Sequence, residues 1–216
     1  MGQPGADRAR SIAITKLGNG LFDVGRHEES LSVKMAELSM ERRLGASEDA
    51  ILCVKGNIAS NYQVLHRFDE CLSLRREVYL GYLSLNGEDY VGTIAAANNY
   101  ASTLVKINRY AEAKSLLRKT MPVARRALGE HHESTFKMTW SYAVALFLDA
   151  DATLDDLREA VTTLEETTRT MRRVLGGTHP LTGEVGRALV GARVVLRSRE
   201  ALEASQPTGN LAEEVD

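Results

Sequence analysis

An all-α solenoid of antiparallel helix hairpins is the fold class this sequence predicts, and three observations predict it. Glycines that close long helical stretches recur at Gly45, Gly87, Gly129 and Gly176, with spacings of 42, 42 and 47 residues. A second landmark keeps the same period: Gly25-Arg26-His27-Glu28-Glu29-Ser30, His66-Arg67-Phe68-Asp69-Glu70-Cys71 and Asn108-Arg109-Tyr110-Ala111-Glu112-Ala113 are 41 and 42 residues apart. Third, each unit carries apolar residues at helical rather than strand spacing, as in Ala113, Leu117, Met121, Ala124 and Leu128. A fixed period of this length is the signature of a repeat array.

Each element follows from these landmarks. The first unit spans residues 11–45, the second 46–87, the third 88–129 and the fourth 130–176, each a helical hairpin, and a terminal helix occupies 177–204. In the third unit Ala97, Tyr100, Ala101 and Leu104 mark the first helix, and the Arg109–Ala113 junction turns the chain into the second. Small residues at Ser30, Cys71, Ala113 and Ala160 fit a position where two helices cross closely. The fourth unit is five residues longer, with an acidic insertion at Asp149–Asp156 in which Thr153 and Asp156 form a capping box for the next helix. A single hairpin cannot bury its own apolar face, so the units must stack into one extended core. The terminal helix carries Gly183, Gly186 and Gly191, each weakening a helix by up to about 1 kcal/mol relative to Ala. Residues 1–10 and the acidic stretch 205–216 are expected to be disordered.

Composition excludes several functional classes. A net charge of −2 over 216 residues implies no bulk attraction to nucleic acid or to a membrane surface. No apolar run reaches the ~18 residues of a membrane span, and the N-terminus lacks the apolar stretch of a secretory leader. Cys53 and Cys71 match no metal-ligand spacing and are too few for a disulfide framework, which points to a reducing, cytoplasmic setting.

The junction Leu175-Gly176-Gly177-Thr178-His179-Pro180-Leu181-Thr182 resembles that of tetratricopeptide repeats of the kinesin light chain-like type. So does Thr93-Ile94-Ala95-Ala96-Ala97-Asn98-Asn99-Tyr100-Ala101, followed by Leu104 and Arg109–Ala113, and the 42-residue period is that family's. The pair Asn98-Asn99 becomes Gly56-Asn57, Trp140-Ser141 and Arg187-Ala188 in the other units. The resemblance implies a right-handed superhelix whose concave side is lined by the first helix of each hairpin. In register, that side would carry Asn98, Ser102, Val105 and Lys106 in the third unit and Lys137, Trp140, Val144 and Phe147 in the fourth, with Arg187 on the terminal helix.

These residues are the candidate partner-binding set. The single Trp, flanked by Lys137 and Arg187, is of the residue type that carries binding energy at interfaces; packing against the next hairpin is its alternative role. Asn98 offers donor and acceptor to a peptide main chain. The expected function is a scaffold or adaptor that holds a segment of a partner protein in the concave groove. The alternative is a structural or self-associating subunit of a larger complex, including a homo-oligomer. Neither nucleic acid nor membrane is an expected partner, and no cofactor is expected.

Chemistry-bearing patterns resolve as structure. Glu130-His131-His132-Glu133 lacks the spacing of a helical zinc site and sits in register with the turn at Gly177–Pro180. Asp149–Asp156 begins like a calcium loop, but its sixth position is Leu154 and its twelfth is Ala160. Arg42-Arg43, Arg125-Arg126 and Arg172-Arg173 fall at helix C-termini, where cations offset the helix dipole. No catalytic constellation assembles, so an enzyme is not expected.

Overall fold

The computed structural model describes residues 4–205, which form nine α-helices and no strand. They are α1 (Pro4–Asp23), α2 (His27–Leu44), α3 (Glu48–Val64), α4 (Phe68–Asn86), α5 (Val91–Lys106), α6 (Tyr110–Leu128), α7 (Glu133–Phe147), α8 (Leu154–Val174) and α9 (Pro180–Ser205). Consecutive helices pack against one another along the whole chain, giving four hairpins and α9.

The expectation of disorder over residues 1–10 is corrected for 4–10, because α1 begins at Pro4. A proline at the first helical position gives up an amide that no carbonyl could reach, and Ala6, Arg8, Ala9 and Arg10 are good helix formers. Residues 1–3 and 206–216 lie outside the described residues.

The glycines end helices because of their backbone. Gly45, Gly87, Gly129 and Gly176 have φ of 70°, 82°, 93° and 89°, a region closed to most side chains. Within the first three hairpins the same left-handed conformation falls on Gly25, His66 and Asn108. The next residue, an arginine each time, turns its amide back onto the preceding helix: Arg26 to the Leu21 carbonyl, Arg67 to Tyr62 and Arg109 to Leu104, all at 2.9 Å. Its guanidinium then reaches forward to Glu29, Glu70 or Glu112 one turn into the next helix. The small residue that follows is sealed: Ser30, Cys71, Ala113 and Ala160 are each 0% exposed.

The fourth hairpin replaces this device. Thr153 Oγ1 accepts from the Asp156 amide and the Asp156 carboxylate accepts from the Thr153 amide, completing the predicted capping box. The insertion is tied to its neighbours by Lys114, 2.8 Å from Asp149 Oδ2, and by Arg199, which donates to the carbonyls of Ala150 and Ala152.

The principal apolar core runs from α5 to α9 around Phe136, Met138, Leu146, Leu157, Leu164 and Met171. A separate, smaller cluster of Leu31, Leu38, Ile51, Val54 and Ile58 joins the first two hairpins.

Candidate functional site

Curvature places the site. α5 packs directly on α7, and α7 on α9, with no comparable contact between even-numbered helices. Helices that approach each other more closely lie on the inside of a bend, so α5, α7 and α9 form the inner face of this part of the stack.

On that face a pocket of about 180 Å³ opens between α5 and α7. Ser102, Val105 and Lys106 form one wall, and Trp140, Ser141 and Val144 the other. Five of the nine sequence-predicted site residues converge there, each half-buried except the exposed Lys106. They converge because Ser102 and Val144, or Asn98 and Trp140, hold equivalent places in consecutive units.

Trp140 does both things its sequence position allowed. Its ring packs onto the principal core and also walls the pocket. Its indole Nε1 is enclosed and has no hydrogen-bond acceptor among the described residues. An enclosed donor without a partner costs about 1–3 kcal/mol.

The other four predicted residues lie outside the pocket walls. Asn98 Oδ1 accepts from Ser141 Oγ at 3.4 Å, a contact that links α5 to α7. Lys137 is exposed and pairs with Glu133 at 2.6 Å, which holds the Glu133 carboxyl below its usual range. Arg187 is exposed on α9. Phe147 is a correction: it is only 9% exposed and belongs to the core, its ring beside Gly191 of α9. The terminal helix lies over it, so Phe147 presents no open surface to a ligand.

Sequence reasoning missed Ser141 as a pocket wall. Its slot is that of Asn57 and Asn99, and pairing slots between neighbouring units would have placed it opposite Ser102.

Toward the N-terminus the first hairpin is sealed between α1 and α2 by buried charge. Lys34, 2% exposed, donates to Asn19 Oδ1, and Glu37, also 2% exposed, accepts from Thr15 Oγ1. Burial lowers the Lys34 ammonium's pKa, against the pull of Glu37. Burial also raises the Cys53 thiol, with Asp49 and Glu37 adding to the shift, so this exposed cysteine is no ready thiolate. Tyr82, beside Asp49 and Tyr90, is pushed up to about 12, chiefly by burial.

The tempting histidines cap helices. His132 Nδ1 accepts from the Ser134 amide at 3.1 Å, and His179 Nδ1 from the Leu181 amide at 3.3 Å. Among the described residues no group of three or more His, Cys, Asp or Glu side chains could hold a metal, and no helix is long and apolar enough to cross a membrane.

Residues 50–126 match a tetratricopeptide-repeat family profile. A crystal structure of a Podosopora anserina kinesin light chain with nearly identical TPR-like repeats covers 94% of this chain and 93% of its own, at 18% identity and a TM-score of 0.72. A point variant of the same Podosopora anserina protein superposes with a TM-score of 0.74 at 17% identity, over 94% of this chain and 93% of that one. BtubC (BKLC) from P. vanneervenii superposes over 99% of this chain and 89% of its own, at 15% identity and a TM-score of 0.68. No curated protein sequence matches. Tetratricopeptide repeats generally bind proteins or peptides, and the fold is typically a non-catalytic scaffold.

Proposed function

Starting from a tetratricopeptide-repeat chain with the kinesin light chain-like fold, we propose that its inner face holds a segment of a partner protein, gripped at the pocket between α5 and α7. The observation that carries this reading is the convergence of Ser102, Val105, Lys106, Trp140 and Val144 on one cavity. Such a cavity suits one apolar side chain, received by Val105, Trp140 and Val144. Ser102 supplies a hydroxyl at its wall, and Lys106 a cation suited to an acidic neighbour of that side chain. Repeat superhelices use extended concave surfaces in this way, and one well-filled pocket supplies much of the affinity. The setting consistent with this role is cytoplasmic, with Cys53 and Cys71 both free thiols.

Affinity capture from a cell lysate tests the reading. Wild type is compared with Trp140→Ala and with Ser102→Arg, which fills the pocket without removing core packing. Partners that both variants lose, with helical circular dichroism unchanged, are the expected result. Partners retained by both would move the binding surface away from α5 and α7.

A further inference from the structure

α9 ends the stack of described helices, and its residues show which neighbour it lacks. Counting from Gly87, Gly129 and Gly176, the fourteenth residue is Ala101, Ala143 and Val190, and the seventeenth is Leu104, Leu146 and Arg193. Ala101, Ala143, Leu104 and Leu146 are at most 1% exposed, sealed within their hairpins. Val190 is 63% exposed, and Arg193 stands where its counterparts are buried leucines. The face that receives a second helix in the third and fourth units is therefore uncovered in α9, and it carries charge.

That face borders a groove of about 680 Å³ between α8 and α9. Leu189 and Val190 give it an apolar floor, and Arg169, Arg172, Arg173 and Arg193 surround it. Of these four, Arg193 alone has a counter-charge among the described residues, Glu165 at 2.6 Å. Among the described residues Arg169, Arg172 and Arg173 make no ion pair, in contrast to the repeat one unit earlier. There Arg126, at the register of Arg173, reaches Glu88 and Asp89. At the two corresponding positions one unit on, Glu130 goes to Arg125 and His131 replaces the acid. The Thr168 hydroxyl, on a residue 5% exposed that also lines the groove, has no hydrogen-bond partner among the described residues.

We propose that this groove docks an acidic amphipathic helix from a partner protein, which completes the fifth hairpin beside α9. Its apolar stripe would cover Val190 and Leu189, and its carboxylates would meet Arg169, Arg172 and Arg173. Charge selects this occupant over a second α9, because two copies related by a two-fold axis would set their arginines face to face. The surface is separate from the α5–α7 pocket, so each stands or falls alone.

The test uses the full chain and a labelled synthetic peptide of about 18 residues, roughly 27 Å as a helix, with Leu on one face and Glu on its flanks. Fluorescence anisotropy should show saturable binding that weakens with added salt, and the same peptide with Lys in place of Glu should not bind. Arg172→Glu/Arg173→Glu should weaken binding by about tenfold or more. Arg172→Gln/Arg173→Gln should weaken it by less with no cost to folding. Equal binding by the charge-reversed variant, or by the Lys peptide, overturns the proposal. So does tighter binding after truncation at Ser205, which would make residues 206–216 the occupant. A concentration-dependent mass abolished by Val190→Glu would also overturn it, by assigning the face to a second copy.

Discussion

The first two hairpins and the last two obey one repeat but are sealed by different chemistry. Every buried charged side chain among the described residues belongs to the first two: Lys34, Glu37, Lys55 and Arg75. From α5 onward the buried polar residues are all threonines and one serine. A buried hydroxyl can satisfy itself on its own helix, as Thr103, Thr139 and Thr167 do by donating to the carbonyl four residues back. A buried ammonium or guanidinium needs partners from another residue. Lys55 finds Glu77 at 2.8 Å, but Arg75 gives one nitrogen to Ser60 Oγ while its Nε has no acceptor among the described residues, and burial lowers its pKa against the pull of Cys71. The C-terminal half adds direct contacts among α5, α7 and α9 and holds the larger core. The difference teaches that a shared repeat geometry leaves local stability free to vary. The half with the larger core also carries the pocket, where a wall held by packing loses less on binding.

Breaking each half in turn should separate the two chemistries. Leu146→Ala removes a side chain that is 0% exposed at the centre of the large core, and should cost about 3 kcal/mol, read as a lower thermal midpoint. Hydrogen exchange in that variant should quicken across α5–α9 together, whereas Ile58→Ala should quicken it mainly in α1–α4. Glu37→Ala leaves Lys34 buried without its nearby carboxylate and should cost about 2 kcal/mol in denaturant melts. Lys34→Met/Glu37→Met should recover most of that loss, because two well-packed apolar residues can replace buried charges. If the double variant is as unstable as the single, the polar seal contributes packing that methionine cannot supply.

A smaller effect concerns the turns. Gly176→Ala puts a side chain at φ 89° and should cost about 1 kcal/mol, while Asn108→Gly, at φ 62°, should cost none. The smallest is pH-dependent. Lys114 holds the Asp149 carboxyl below its ordinary range, so its contribution is present above about pH 4, the ordinary Asp value, and is lost as pH falls through the lowered one. Asp149→Asn should therefore reduce stability at neutral pH and flatten the acid side of the curve, measured by melts between about pH 2 and 7.

The hairpin architecture is legible in the sequence because turn geometry is local. A left-handed turn favours glycine, although His66 and Asn108 also adopt it, and a close helix crossing favours a small residue, so Gly87 or Ala113 announces itself without its neighbours. The capping box at Thr153 and Asp156 is legible for the same reason. Phe147 is not, because its burial depends on α9, two elements further along the chain, passing over a slot that is open in α5. The start of α1 is obscured because polar composition at a terminus outweighs the quieter signal of Pro4 and the helix formers behind it. The polar seal of Lys34 and Glu37 is equally hidden, since charged residues on a helix ordinarily mean a solvated face. Ser141 is the intermediate case: its slot can be recognised, but its role depends on which helix faces it.

The inner pocket is best tested through Trp140, the chain's single tryptophan, whose emission therefore reports on this wall alone. A partner segment recovered by capture is titrated into wild type and into Ser102→Arg. The account predicts a saturable blue shift and protection from acrylamide quenching in wild type, both absent in Ser102→Arg. Saturable binding with Trp140 emission unchanged, or a shift as large in Ser102→Arg as in wild type, would contradict it.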